Sequence, residues 1–273
     1  MKTLSRAFSH PGFNLYRCGI GHLLLAVVLS ILIPLDQREL LGINLWIKPL
    51  KFSLSIGIYC ISWQLILKYL PDERLRRRFV NFSIFALTFE TLAIVSQAAR
   101  GELSHFNQSG IYNVVLYAMM GIAITAQTLF SLYVGFRFFK VNPDAISPAM
   151  LWAIRLGILI AGIFALEGGY MGQRMAHTVG AADGGPGLPF LNWSLKAGDL
   201  RIAHFLGLHA LQVLPLFVMA FRLKKPGLVI VFAVLYFCMV SFMFYNALLG
   251  FKAQIWRSAL VSTDLKICAN GLV

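Results

Sequence analysis

Seven apolar stretches of roughly 20 residues dominate this chain and leave few folds open to it. They run over about 17–35, 51–70, 79–99, 111–137, 150–172, 202–222 and 227–250. About 20 apolar residues is the length a helix needs to cross the hydrocarbon of a bilayer. In that solvent each segment must satisfy its own backbone hydrogen bonds, so each is expected to be helical. Hydrophobic residues are 58% of the 273 and charged residues 13%, against about 25% charged in a soluble domain. A soluble fold of this size could not hide so much apolar surface. The expected fold is all-α: a polytopic integral membrane protein, a seven-transmembrane-helix bundle forming a single domain over 1–273.

The first stretch is too long for the apolar core of a signal peptide. The "IPLDQREL" that follows it lacks a small-x-small cleavage site, so it is expected to stay as an anchor.

The net charge of +13 could suggest nucleic acid. However, the basic residues punctuate span ends instead of forming a soluble basic face, so no nucleic-acid partner is expected and the partner is the lipid bilayer. Thirteen Lys and Arg fall on the side of the N-terminus and ten on the opposite side, with Arg155 inside a span. The short loops "KYLPDERLRRRF" and "FRLKKPG" carry most of the contrast, and short loops dominate orientation. The chain is therefore expected in the plasma (inner) membrane, multi-pass, with its N-terminus cytoplasmic and its C-terminus outside. Cys18, Cys60, Cys238 and Cys268 form no CxxC spacing, so neither a zinc knuckle nor a disulfide framework is indicated.

Connections on the N-terminal side are short: 71–78, 138–149 and 223–226. The opposite side carries the Gly/Pro-rich loop 173–201, "QRMAHTVGAADGGPGLPFLNWSLKAGDLR", which reads as tight turns. Four stretches running toward that side end in Gln with Arg: Gln37 and Arg38, Gln97 and Arg100, Gln173 and Arg174, Gln254 and Arg257. In two of them the likeness extends to a preceding glutamate and a following histidine, Glu90 with His105 and Glu167 with His177. That pattern fits a duplicated helical hairpin, or ordinary interfacial residues repeated by chance.

The stretch "DLRIAHFLGLHALQVLP" (199–215) puts His204, His209 and Gln212 into an apolar helix. Pro215 lacks the N–H that would meet the Leu211 carbonyl and is expected to kink the helix beside them. Gly168, Gly169 and Gly172 on the preceding helix leave room for a neighbour or ligand. Ionisable groups in lipid cost about 2.5–3.5 kcal/mol each at mid-span on the insertion scale. They normally face inward and mark a functional path.

Glu90 and Glu167 are therefore the candidate catalytic or proton-carrying groups. His105, His177, His204 and His209 could converge near Glu167 on the long-loop side. Imidazoles with one carboxylate suit zinc or iron. With Arg100, Arg174, Arg257 and Gln212 nearby, the same set would suit haem b, its propionates on the arginines. The expectation is a membrane-embedded oxidoreductase or metal-dependent enzyme, with a lipid or quinone entering sideways. Two alternatives stand beside it. One is a proton-coupled transporter of a small solute, using Glu90 and the Pro215 kink. The other is a non-catalytic subunit or assembly factor whose polar residues only lock helices together. Asp183 reads first as a turn residue and Lys48 and Lys51 as snorkelling cations, with cation binding and an anionic headgroup as their functional readings.

Overall fold

The computed structural model describes residues 14–250, and among these the chain forms seven helices and two small antiparallel strand pairs. The helices are α1 (Leu15–Leu35), α2 (Ile47–Leu67), α3 (Glu73–Ala99), α4 (Ile111–Phe138), α5 (Pro148–Arg174), α6 (Leu200–Ala220) and α7 (Gly227–Leu248). Six of them are individually long and apolar enough to cross a membrane. The sixth in order, α6, reaches that length only when its two halves, Leu200–Leu208 and Ala210–Ala220, are taken together across a 49° bend. So many apolar helices mark a multi-pass membrane protein.

Local chemistry sets the helix ends. Asp72 caps α3, its carboxylate accepting from the Leu75 N–H at 2.9 Å. That cap draws the arginines at 74 and 76–78 into the first turns, which the apolar pattern alone assigns to a loop. The second helix begins at Ile47, earlier than the apolar run, because Pro49 sits in the first turn, where its missing N–H costs nothing. Ser147 caps α5 with Pro148 at its first position, and Met175 closes it in the left-handed region.

The chain-neighbouring pairs α1–α2 and α5–α6 pack most extensively. A Cβ on Gly19 of α1 would stand 2.9 Å from the Gly57 carbonyl oxygen of α2, so that crossing admits only backbone-to-backbone approach. The bend in α6 falls at His209, six residues before Pro215. The proline cannot donate to the Leu211 carbonyl and its ring crowds the turn over 211–214, which directly follows the bend.

Loops at the two ends of the bundle make separate contacts. At one end Arg137 reaches Asp72 at 3.5 Å, and the Ala149 N–H donates to the Lys224 carbonyl at 3.2 Å. At the other end Arg38 donates to the Ala99 carbonyl at 3.2 Å, and Lys51 to the Leu191 carbonyl at 3.0 Å. There the α1–α2 connection is a hairpin, β1 (Glu39–Leu40) against β2 (Ile43–Asn44). Its turn residues Leu41 and Gly42 both have positive φ, as a two-residue hairpin turn of this hand requires. Loop 173–201 is likewise turn-built, with β3 (Thr178–Val179) antiparallel to β4 (Gly198–Asp199).

Large apolar side chains such as Leu24, Phe85, Ile122, Leu235 and Phe242 point away from the bundle. Such faces suit lipid. The polar side chains gather inside.

Candidate functional site

Helix α3 carries the central residue. Glu90 sits nine residues before its C-terminal residue Ala99 and is 3% exposed. Its Oε1 lies 3.5 Å from Nε2 of His105, in the loop between α3 and α4, while its Oε2 has no hydrogen-bond partner. The other ring nitrogen of His105 is 3.1 Å from the Ser104 hydroxyl. The imidazole is walled by Phe52 of α2, Phe106 of its own loop and Tyr117 of α4, with ring centres 5.7, 6.3 and 6.0 Å away. Lys48, one turn before Phe52, holds its ammonium 6.0 Å from the Phe52 ring centre, within electrostatic reach of Glu90 and Asp183.

The outer loop completes this enclosure. His177 rests against Phe106 with ring centres 6.3 Å apart. Its Nδ1 donates to Asp183 Oδ1 at 3.0 Å, and the backbone N–H groups of His177 and Thr178 donate to the same carboxylate at 3.2 and 2.9 Å. Burial acts to raise the Asp183 carboxyl. The hydrogen bonds from His177 and Thr178, with the charge of His177, together outweigh it and hold the carboxyl well below the usual range. For His105, burial comes first and the positive charges of Lys48 and His177 add to it. The imidazole is held well below its ordinary value and stays neutral.

Two carboxylate–imidazole pairs, Glu90–His105 and His177–Asp183, thus share one aromatic-walled region at the long-loop end, with Lys48 beside them. With His105 held neutral and the Asp183 carboxylate held ionised, Glu90 is the group of this set that can exchange a proton, and Lys48 is the cation that can meet an anionic solute.

The other expected site residues lie apart. Nδ1 of His204 donates to the Phe164 carbonyl of α5 at 2.7 Å, its ring packed where a Cβ on Gly168 would stand 3.2 Å from it. Nδ1 of His209 donates to Gln212 Oε1 at 3.2 Å, and Gln212 in turn donates to Ser62 of α2 at 3.0 Å. His204 and Gln212 therefore tie α6 to its neighbours. Glu167 is 7% exposed and neither of its carboxylate oxygens has a partner. Arg100 donates to Gln97 at 3.1 Å and stacks on Tyr112, and Arg174 stacks on Tyr170. Arg257 and Gln254 lie outside the described residues. Among the described residues no three His, Cys, Asp or Glu side chains group closely enough to hold a metal ion.

The two glutamate–histidine likenesses also separate in space, since His105 meets Glu90 whereas His177 meets Asp183. Arg155, which the sequence places in a span, clamps the α4–α5 connection. It donates to the Phe138 and Val141 carbonyls at 3.0 and 2.8 Å and to Asn142 at 3.0 Å.

Sequence reasoning missed Phe52, Phe106 and Tyr117 as walls of the site, because aromatic residues in an apolar chain carry no distinguishing pattern. A usable signal existed on α3, where Ser83, Glu90 and Gln97 recur every seven residues. That spacing keeps them on one face.

Compared with family models, curated proteins and solved structures, the chain matches none.

Proposed function

We propose that this chain is a seven-span protein of the plasma membrane, N-terminus cytoplasmic, that binds a small polar solute in the outer half of the bundle and couples its passage to protons. The observation that carries this reading is the buried Glu90, joined on one oxygen to His105 and bare on the other. A bare carboxylate oxygen inside a bundle is costly unless a proton, a water or a ligand meets it. The neighbouring Lys48 supplies a cation for an anionic group on the solute. In this reading the moving element is at the 49° bend of α6.

The test is proton entry into liposomes containing the purified chain, followed with a trapped pH dye under a potassium diffusion potential, with inorganic phosphate, succinate or glutamate supplied outside as the solute. Protein-dependent acidification that is lost in Glu90→Gln is the expected result. Acidification equal to that of empty liposomes rejects the reading.

A second reading, a metal or haem centre served by lipid or quinone, would have to use His105 and His177, the two histidines that share Phe106 as a neighbour, although no three potential ligands group among the described residues. A visible spectrum and elemental analysis of the purified protein separate the two, because only this reading requires a Soret band or stoichiometric metal.

A further inference from the structure

The polar character of α3 continues well past Glu90. Ser83, Glu90 and Gln97 are all buried, at 0%, 3% and 1% exposure, and each meets a polar group from another element. Gln97 donates to Asn113 of α4 at 2.8 Å, Glu90 faces His105, and Ser83 accepts from Gln127 of α4 at 2.9 Å. Successive stations are about 10 Å apart at the helical rise of about 1.5 Å per residue. At the Ser83 station the Gln127 amide nitrogen also lies 3.1 Å from the Tyr59 hydroxyl and 3.3 Å from that of Ser131, and these two hydroxyls are 2.8 Å apart.

Three of the partnerless polar atoms lie at the same stations. Among the described residues seven buried side-chain nitrogen and oxygen atoms have no hydrogen-bond partner. Five of the seven sit on α2–α4: Ser53 Oγ, Trp63 Nε1 and Gln64 Oε1 on α2, Glu90 Oε2 on α3, and Gln127 Oε1 on α4. On α2, Trp63 stands edge-on to Tyr59 with ring centres 6.2 Å apart and so belongs to the Ser83 station, whereas Ser53 and Gln64 recur at helical spacing with Gly57, which packs on Gly19 of α1. A buried polar atom left bare costs about 1–3 kcal/mol, and an internal water making about three hydrogen bonds is the usual remedy. Trp63 Nε1 and Gln127 Oε1 fall at the Tyr59–Ser83–Ser131 cluster, and Glu90 Oε2 lies about two turns from it along α3.

We infer that a file of internal waters runs along the α2–α3–α4 interface from Glu90 through the Tyr59–Ser83–Gln127–Ser131 cluster, and that it is the proton route toward the short-loop end. This rests on the proposed proton exchange at Glu90 and adds its path. Tyr59, Ser83, Ser131 and Gln127 position the waters, and hydroxyls pass protons along such a file without net chemical change. Each oxygen receives one proton on one side and releases one on the other.

Cysteine accessibility tests the route without knowledge of the solute. In the full chain with its four native cysteines replaced by alanine and reconstituted in liposomes, Ser83→Cys, Ser131→Cys and Ala153→Cys are treated with 2-aminoethyl methanethiosulfonate. Ala153 is fully buried in an apolar cluster and serves as the dry control. Ser83→Cys and Ser131→Cys are expected to react roughly tenfold or more faster than Ala153→Cys, since a wetted site is spared the opening that a dry one needs. Rates equal to the control overturn the route. Should Ser83→Cys aggregate, Ser131→Cys decides. Slow cysteines alongside Glu90-dependent acidification overturn the water file and leave the coupling reading standing. Fast cysteines without acidification support the file and remove the coupling.

Discussion

Oε1 of Glu90 stands 3.5 Å from Nε2 of His105, so the interior of α3 is joined to the loop that leaves it. The contact places a titratable carboxyl and a neutral imidazole in one enclosure, and the following expectations turn on such pairings.

Glu90→Gln keeps the size of the side chain and removes the charge. Because one carboxylate oxygen is bare, the amide is expected to unfold no earlier than wild type, within about 1 kcal/mol. Thermal unfolding in detergent, read by loss of monodispersity, checks this. A large drop would mean that Glu90 is chiefly a structural anchor.

His105 titrates in the stability of the protein. Its folded-state value is depressed, first by burial and then by Lys48 and His177. In the pH range below its ordinary value, near 6.5, the unfolded chain takes up a proton that the folded one refuses. Stability is therefore expected to be full above that pH and to fall as the medium is acidified. His105→Gln should flatten this slope between about pH 7 and 5. An unchanged slope would place the titration elsewhere.

Asp183 organises the turn that carries His177. Its carboxyl is depressed, so its contribution is full above the ordinary carboxylate value near 3.9 and is lost as pH falls through the folded value. Asp183→Ala leaves two backbone N–H groups and an imidazole without their acceptor, a loss of about 3 kcal/mol. Proteolysis within 180–190 is expected to accelerate. A variant as resistant as wild type would contradict this.

Gly19→Val should be among the most damaging substitutions on α1. Even a Cβ there would meet the Gly57 carbonyl oxygen and the Ile61 side chain at 2.9 Å. Separation of α1 from α2 is expected to cost about 3 kcal/mol or more, seen as a lowered Tm. Gly21→Val, on the same helix with open space at its Cβ, is the control.

Arg155→Lys is expected to destabilise the short-loop end without touching proton movement. One ammonium cannot reproduce the geometry of a guanidinium that donates to three acceptors. A Tm loss with normal liposome acidification is the expected pair of results.

The sequence by itself determined the helices and their solvent. Apolar length is a local property, and a segment in lipid has no structure open to it but one that satisfies its own backbone. The same local logic announced a bend in α6, because a proline acts on its own preceding turn; the structure puts it at His209, just before that turn. It also showed that Glu90 and Glu167 were expensive. What the chain could not announce was who meets them. Which residue faces which depends on the rotation of each helix about its axis and on loop paths, and these are settled by packing across elements far apart in sequence. Only the tertiary structure decided that His177 turns to Asp183, that His204 caps a carbonyl of α5, and that Glu90 takes His105 on one oxygen while leaving the other bare.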